Sequence, residues 1–235
     1  MNLRLFIISL LFLQISLSAQ DSLSTNPGFY KFGLPNFDKK RNKLEKKLQK
    51  EIDLYQFKAG QTIADIGCFN GWFAGNISLY YDSLTIYLQD VPDYGGYANG
   101  MQAIDFILSE YERYKGSPLG NTFVKVVGND TATNLPNAAF DKIIVLRTFH
   151  HMKYPNEMVK DLHQKLKSTG KIYIAGPVFN KVPNGKKQQS DGSWKYSLAY
   201  IIAIFEQNGF QFKEEIPFRK KRDKMLIFEQ INTSN

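Results

Sequence analysis

Nearly continuous apolar runs alternate along this chain with stretches in which apolar residues recur every three or four positions. Thr62 to Ile66, Ser83 to Asp90, Phe123 to Val127, Phe140 to Leu146 and Lys171 to Gly176 are runs of the first kind. Each predicts a strand, and Ile63, Ala64 and Ile66 supply the apolar run of one that is covered on both faces. Leu44, Leu48, Ile52 and Tyr55 form the inward stripe of a predicted helix, and another helix starts near Met101. Asn156 to Lys167 carries Val159, Leu162 and Leu166 at helical spacing and is expected to stop before Gly170. Tyr196 to Asn208 turns Leu198, Ile201, Ile202 and Phe205 inward and is expected to stop at Gly209. Phe210 to Phe218 and Lys224 to Ile231 predict two more strands joined by a short basic turn, an antiparallel hairpin at a sheet edge. Strands and helices in alternation argue for an α/β fold with a parallel sheet and helices on both faces.

The run from Thr62 to Phe73 carries the most information, because it leads a buried strand through a glycine turn into a helix. Gly67 turns where a side chain would clash, Gly71 opens the helix, and a ligand can touch bare backbone between them. A dinucleotide fingerprint counted from Gly67 needs small residues where Phe69 and Trp72 stand, which disfavours a nicotinamide-dependent oxidoreductase. The run resembles motif I of the class I S-adenosylmethionine-dependent methyltransferases. Asp65, Gly67 and Gly71 stand at the family's positions, and Phe69 replaces its usual glycine. As a bare strand and turn, the same residues are structural.

The resemblance extends over roughly residues 45 to 231. It implies a Rossmann-like, seven-stranded, mostly parallel sheet with a C-terminal antiparallel hairpin. It also implies S-adenosyl-L-methionine as cofactor, bedded on Asp65, Gly67, Cys68, Phe69, Asn70 and Gly71. Asp90, ending the second strand and followed by Val91, fits the acid that binds ribose hydroxyls, and its truncation should cost about 1.5–3 kcal/mol of cofactor binding. After the third strand, Asn129 or Asp130 corresponds to the residue that meets the adenine, although both types also serve plain turns. Leu135-Pro136 and Phe140-Asp141 follow in the family's order, and Arg147 at the end of the fourth strand joins the cofactor set.

His150 and His151, at the carboxyl end of that strand, are the catalytic candidates. A near-neutral imidazole can take a proton from an oxygen or nitrogen nucleophile, and adjacent histidines at a helix entrance can equally well only pack or cap. Pro155 suits the first turn of the next helix, and His163 on that helix reads as packing. Three histidines and one cysteine offer no metal-ligand spacing. Two irregular stretches lie near the ligand edge. Val91 to Tyr97 exceeds a minimal turn, so Tyr94 or Tyr97 either reaches the adenine or acceptor or packs in the loop. Asn180 to Ser193 is either a lid over the acceptor or a surface loop.

Composition sets the outer limits. The 235 residues, 43% hydrophobic and 14% aromatic, suit one globular domain, here residues 38–235. The net charge of +8 gathers in Lys39-Lys40-Arg41, Lys43, Lys46-Lys47 and Lys50, and in Arg219-Lys220-Lys221-Arg222. Such clusters suit peripheral contact with an anionic membrane or nucleic acid. As a solvated helix face and a charged hairpin turn they need neither. Arg4 followed by the apolar run Leu5 to Leu13 reads as a signal peptide over residues 1–19, cleaved after Ser18 or Ala19, or else as an uncleaved tether. Residues 20–37 read as a linker or arm. Export to the periplasm or outside follows, which makes a nucleic-acid substrate less fitting, and the single Cys68 excludes an internal disulfide. Two readings stay open: a methyltransferase whose acceptor (small molecule, lipid or protein) is unknown, and a methyltransferase-like binding protein without turnover.

Overall fold

The computed structural model describes residues 42–94, 97–98, 100–218 and 222–231. The leader, the arm, most of the first basic cluster and the Arg219–Lys221 turn lie outside the described residues, as do the side chains of Leu44, Tyr94 and Tyr97. The chain runs α1 (Asn42–Asp53), β1 (Thr62–Ile66), α2 (Trp72–Ile77), β2 (Thr85–Asp90), α3 (Ile104–Lys115), β3 (Thr122–Val127) and β4 (Phe140–Leu146). It continues through α4 (Pro155–Lys165), β5 (Leu166–Pro177), α5 (Leu198–Gln207), β6 (Phe210–Pro217) and β7 (Asp223–Gln230).

These strands form one seven-stranded sheet in the order β6-β7-β5-β4-β1-β2-β3. Pairings among β1 to β5 are parallel, whereas β7 runs antiparallel to both β5 and β6, so the expected edge hairpin is present. The chain leaves β1 toward β2 on one side and returns to β4 on the other. Ligands settle in the crevice this reversal opens at the strand carboxyl ends.

Strand alternation divides the core in two. Ile63, Ile86, Leu88, Ile144 and Leu146 face α1, α2 and α3, where they meet Ile52, Phe73, Ile77, Ile107 and Tyr111. Ala64, Ile66, Ile143, Val145 and Ile174 face α4 and α5, against Val159, Leu162, Ile201 and Phe205. Asp141 ties the opposite end of the sheet, since Oδ2 accepts the Thr62 N–H at 2.8 Å and Lys167 Nζ donates to both of its oxygens. His163 packs edge-on against Phe210, 5.1 Å between ring centres.

Three elements differ from expectation. Gly170 is not a helix stop: α4 ends at Lys165, and β5 passes straight through position 170. A Cβ there would lie 2.8 Å from the Phe140 carbonyl oxygen, so the glycine serves close strand approach where the β4–β5 register shifts. Asn180–Ser193 is not without structure, because Pro183–Gly185 makes a 3₁₀ turn and Lys186–Gln188 pairs with Trp194–Tyr196 as a small ribbon. That ribbon takes Tyr196, so α5 begins two residues later, capped by Ser197, whose Oγ accepts the Tyr200 N–H. Ile204 joins its inward face, while Leu198 and Ile202 are only partly buried.

Candidate cofactor and acceptor site

The loop after β1 is built by backbone constraints. Gly67 has φ +70, and a Cβ on it would overlap the Thr148 side chain on the loop after β4, so only glycine lets the two loops close. The Gly67 and Cys68 N–H groups both donate to the Gln89 carbonyl, at 2.8 and 3.0 Å, folding the loop onto the end of β2. Phe69 follows in the left-handed region (φ +54), and its N–H donates to Asp90 Oδ2 at 2.7 Å. Val91 N–H donates to Oδ1 of the same carboxylate. The Phe69 ring lies against Gly100, where a Cβ would stand 2.5 Å from the ring, and it flanks a cavity rather than filling it.

That cavity has a volume of about 500 Å³. Gly67, Phe69, Asp90, Val91, Asn129, Asp130, Arg147 and His151 lie on its wall. Five other expected site residues do not. Cys68 is buried in the core with its thiol pKa raised by burial and by Asp65 and Asp90. Asn70 is buried at the entrance of α2, its Oδ1 accepting the Trp72 N–H at 3.2 Å. Gly71 supplies the helix entrance against Ile104, and Asp65 lies beneath the loop. His150 is set back from the wall. The sequence reading missed the apolar side of the wall, namely Ile66, Leu146, Met152 and Met158, together with Trp72 and Lys153. Ile66 and Leu146 end β1 and β4, and Met152 and Lys153 directly follow His151, which was the available signal.

Electrostatics separate the acids. Asp65 is 2% exposed, Oδ2 has no hydrogen-bond partner, and burial, reinforced by the charge of Asp90, lifts its pKa to about 7. Burial also raises Asp90, against which its two backbone donors act. Asn129 is committed to its turn, because Oδ1 accepts from the Thr131 N–H, the Thr131 hydroxyl and the Ala132 N–H. Asp130 is exposed, with Lys153 Nζ 3.9 Å away.

His150 and His151 close a 3₁₀ turn (Phe149–His151) with ring centres 4.0 Å apart. Burial, then His151 and Arg147, pushes His150 down to about 4. His151 is lowered mainly by burial, Asp191 opposing and Arg147 adding. Among the described residues no three His, Cys, Asp or Glu side chains gather to hold a metal.

A strand-ordered sheet of this kind, with a glycine loop under an acid-ended second strand, can be set beside known proteins. Residues 64–174 match the family model described as a methyltransferase domain. That stretch is similar to a methyltransferase domain. Among solved structures, a SAM-dependent methyltransferase from Aquifex aeolicus aligns with a TM-score of 0.58 at 20% identity, covering 87% of this chain and 98% of that one. The [4+2]-cyclase SpnF aligns at 0.57 with 12% identity, covering 84% of each chain. Phosphoethanolamine N-methyltransferase 2 of Haemonchus contortus, in complex with phosphomonomethylethanolamine and S-adenosylhomocysteine, aligns at 0.53 with 18% identity over 73% of this chain and 38% of that one. These likenesses carry the fold. No curated protein matches the sequence.

Proposed function

We propose that this protein is an S-adenosyl-L-methionine-dependent methyltransferase, with its cofactor seated across the ends of β1, β2 and β3. The observation that carries the reading is Asp90, fixed by two backbone N–H groups on the wall of the cavity beside the side-chain-free Gly67 turn. A carboxylate has about four acceptor sites, so Asp90 keeps two for vicinal ribose hydroxyls. Asp130 is free to face an adenine amino group where Asn129 is not, and Ile66, Leu146 and Met158 offer the apolar surface an adenosyl group needs. The Asp90 carboxylate on the wall favours a cationic ligand over an anionic dinucleotide.

When bound, S-adenosyl-L-methionine supplies an electrophilic methyl group whose thioether leaves readily. The protein's share is then chiefly to orient the acceptor, and such positioning can supply ~7–11 kcal/mol of barrier reduction. His151 is on the cavity wall with a lowered pKa, so it is neutral at pH 7 and can accept a proton from an acceptor that arrives protonated. The His150 ring lies against it, 4.0 Å between centres.

Calorimetric titration of the full chain with S-adenosylhomocysteine tests the reading. Saturable binding is expected, with Asp90→Ala weaker by roughly 10- to 100-fold; a chain that binds no adenosyl ligand would leave only the fold. Export is part of the same proposal, and N-terminal sequencing of the mature protein after Ser18 or Ala19 checks it.

A further inference from the structure

Beyond the cofactor cavity, the carboxyl edge of the sheet continues into a shelf of cations held on aromatic faces. Lys186 Nζ stands 5.5 Å from the Trp194 ring centre and 5.6 Å from that of Tyr200, while the Lys195 ammonium and the Arg222 guanidinium stand 5.7 and 5.6 Å from Phe179. Tyr196 and Tyr200 stack nearly parallel beneath, 5.3 Å between centres. Rings, not carboxylates, position these groups: among the described residues no carboxylate oxygen lies within 4.0 Å of Lys186, Lys195 or Arg222. A stacked cation keeps its charge available to an incoming anion.

Arg147 joins this shelf to the cavity. It stands on the cavity wall at the end of β4, its side chain 47% exposed. Its backbone is left-handed (φ +56), a conformation that costs a residue with a Cβ about 1–2 kcal/mol and is held by the N–H bond to Ala175 O at 2.6 Å. The nearest carboxylate is Asp223, the residue after Arg222. Its Oδ2 is 3.7 Å from the guanidinium, beyond hydrogen-bond reach, and that buried oxygen has no hydrogen-bond partner. The fold therefore places a guanidinium with unspent donors on the cavity wall, with Arg222 next in sequence to the Asp223 beside it and Lys195 on the same Phe179 ring as Arg222.

Resting on the methyl-transfer reading above, we propose that the methyl acceptor carries a phosphate group, gripped by the Arg147 fork and steered in by Lys195 and Arg222. Planar guanidinium matches phosphate oxygens two at a time, which a lysine cannot do. The phosphate belongs either to a free small molecule or to a lipid headgroup.

The test uses the full chain, with and without S-adenosylhomocysteine, titrated with inorganic phosphate. It also measures co-sedimentation with phosphatidylglycerol vesicles and with phosphatidylcholine vesicles. One-to-one, saturable phosphate binding is expected, at least 10-fold weaker in Arg147→Gln and about 3-fold weaker in a Lys195→Gln, Arg222→Gln double variant. Sedimentation with the anionic vesicles alone, lost in the double variant, supports a lipid acceptor; phosphate binding without sedimentation supports a free one. Unsaturable phosphate heats equal in wild type and Arg147→Gln overturn the proposal. Loss of S-adenosylhomocysteine binding in Arg147→Gln also overturns it, by assigning the arginine to the cofactor. Arg147-dependent phosphate binding in a wild-type chain that ignores S-adenosylhomocysteine keeps the anion site and removes the cofactor reading instead.

Discussion

Phe69 holds a left-handed backbone with a bulky side chain, a strain of about 1–2 kcal/mol, at the position where the family it resembles usually has glycine. The strain persists because the ring has a matched vacancy at Gly100 and because the Phe69 N–H is one of the two bonds that fix Asp90. A methyl group on Gly100 would meet the ring at 2.5 Å and the Phe69 carbonyl carbon at 3.1 Å, so something must shift, and the loop backbone is the part that carries the Asp90 bond. Gly100→Ala should therefore weaken S-adenosylhomocysteine binding, and adding Phe69→Gly should restore most of it. A calorimetric double-mutant cycle is expected to give a coupling of about 1–3 kcal/mol, and additive losses would show that the two positions do not share the space.

At the scale of elements, Gly170 separates two readings that the sequence alone leaves alike. A glycine after a helical run is most often a left-handed cap, a place where asparagine also fits. Here it is a strand residue packed on Leu166 and on the Phe140 carbonyl. Gly170→Asn should accordingly cost about 1–3 kcal/mol by overpacking, lowering Tm by about 2–4 °C per kcal/mol, whereas a cap would tolerate it. The same distinction explains what was legible. β1 and β4 announce themselves because covered strands need unbroken apolar runs, and Pro155 marks its helix start by geometry that proline carries with it. The Lys186–Gln188 ribbon has no such signature, since its three residues are polar and exposed and it is held by backbone pairing with Trp194–Tyr196. The site divides likewise: turn-forming Gly67 and acid-ended β2 are readable, but Cys68 and Asn70 turn into the core by the pitch of the loop, Met152 reaches the cavity from the end of the Phe149–His151 turn, and Met158 reaches it only through the packing of α4.

Across the whole molecule, two buried groups with opposite titrations set the response to acid. Asp65 is lifted from 3.8 to about 7, so between those values the native state holds a proton that the unfolded chain has released, and stability falls as pH rises through the window. His150 is pushed from 6.5 to about 4, so over that range the unfolded chain binds a proton that the native state refuses, and stability falls as pH drops. Between pH 5 and 6.5 the two slopes oppose, each amounting to about 2 kcal/mol over 1.5 pH units at 1.36 kcal/mol per unit. Lys142, lowered to about 8 by burial, then Lys171 and Lys58, contributes a constant there, and the paired Asp141 and Glu229, both lowered, act only at more acid pH. The wild type should thus show a shallow stability profile from pH 5 to 6.5 in denaturant titrations. Asp65→Asn should be more stable than wild type at pH 6.5 and lose stability on acidification. His150→Gln should gain stability over the same step, because the slope of Asp65, with raised Asp90 acting in the same sense, then outweighs that of the lowered His151. An Asp65→Asn profile parallel to the wild type would mean that the carboxyl is already ionised in the fold, with its charge met by a partner that the buried Oδ2 does not have.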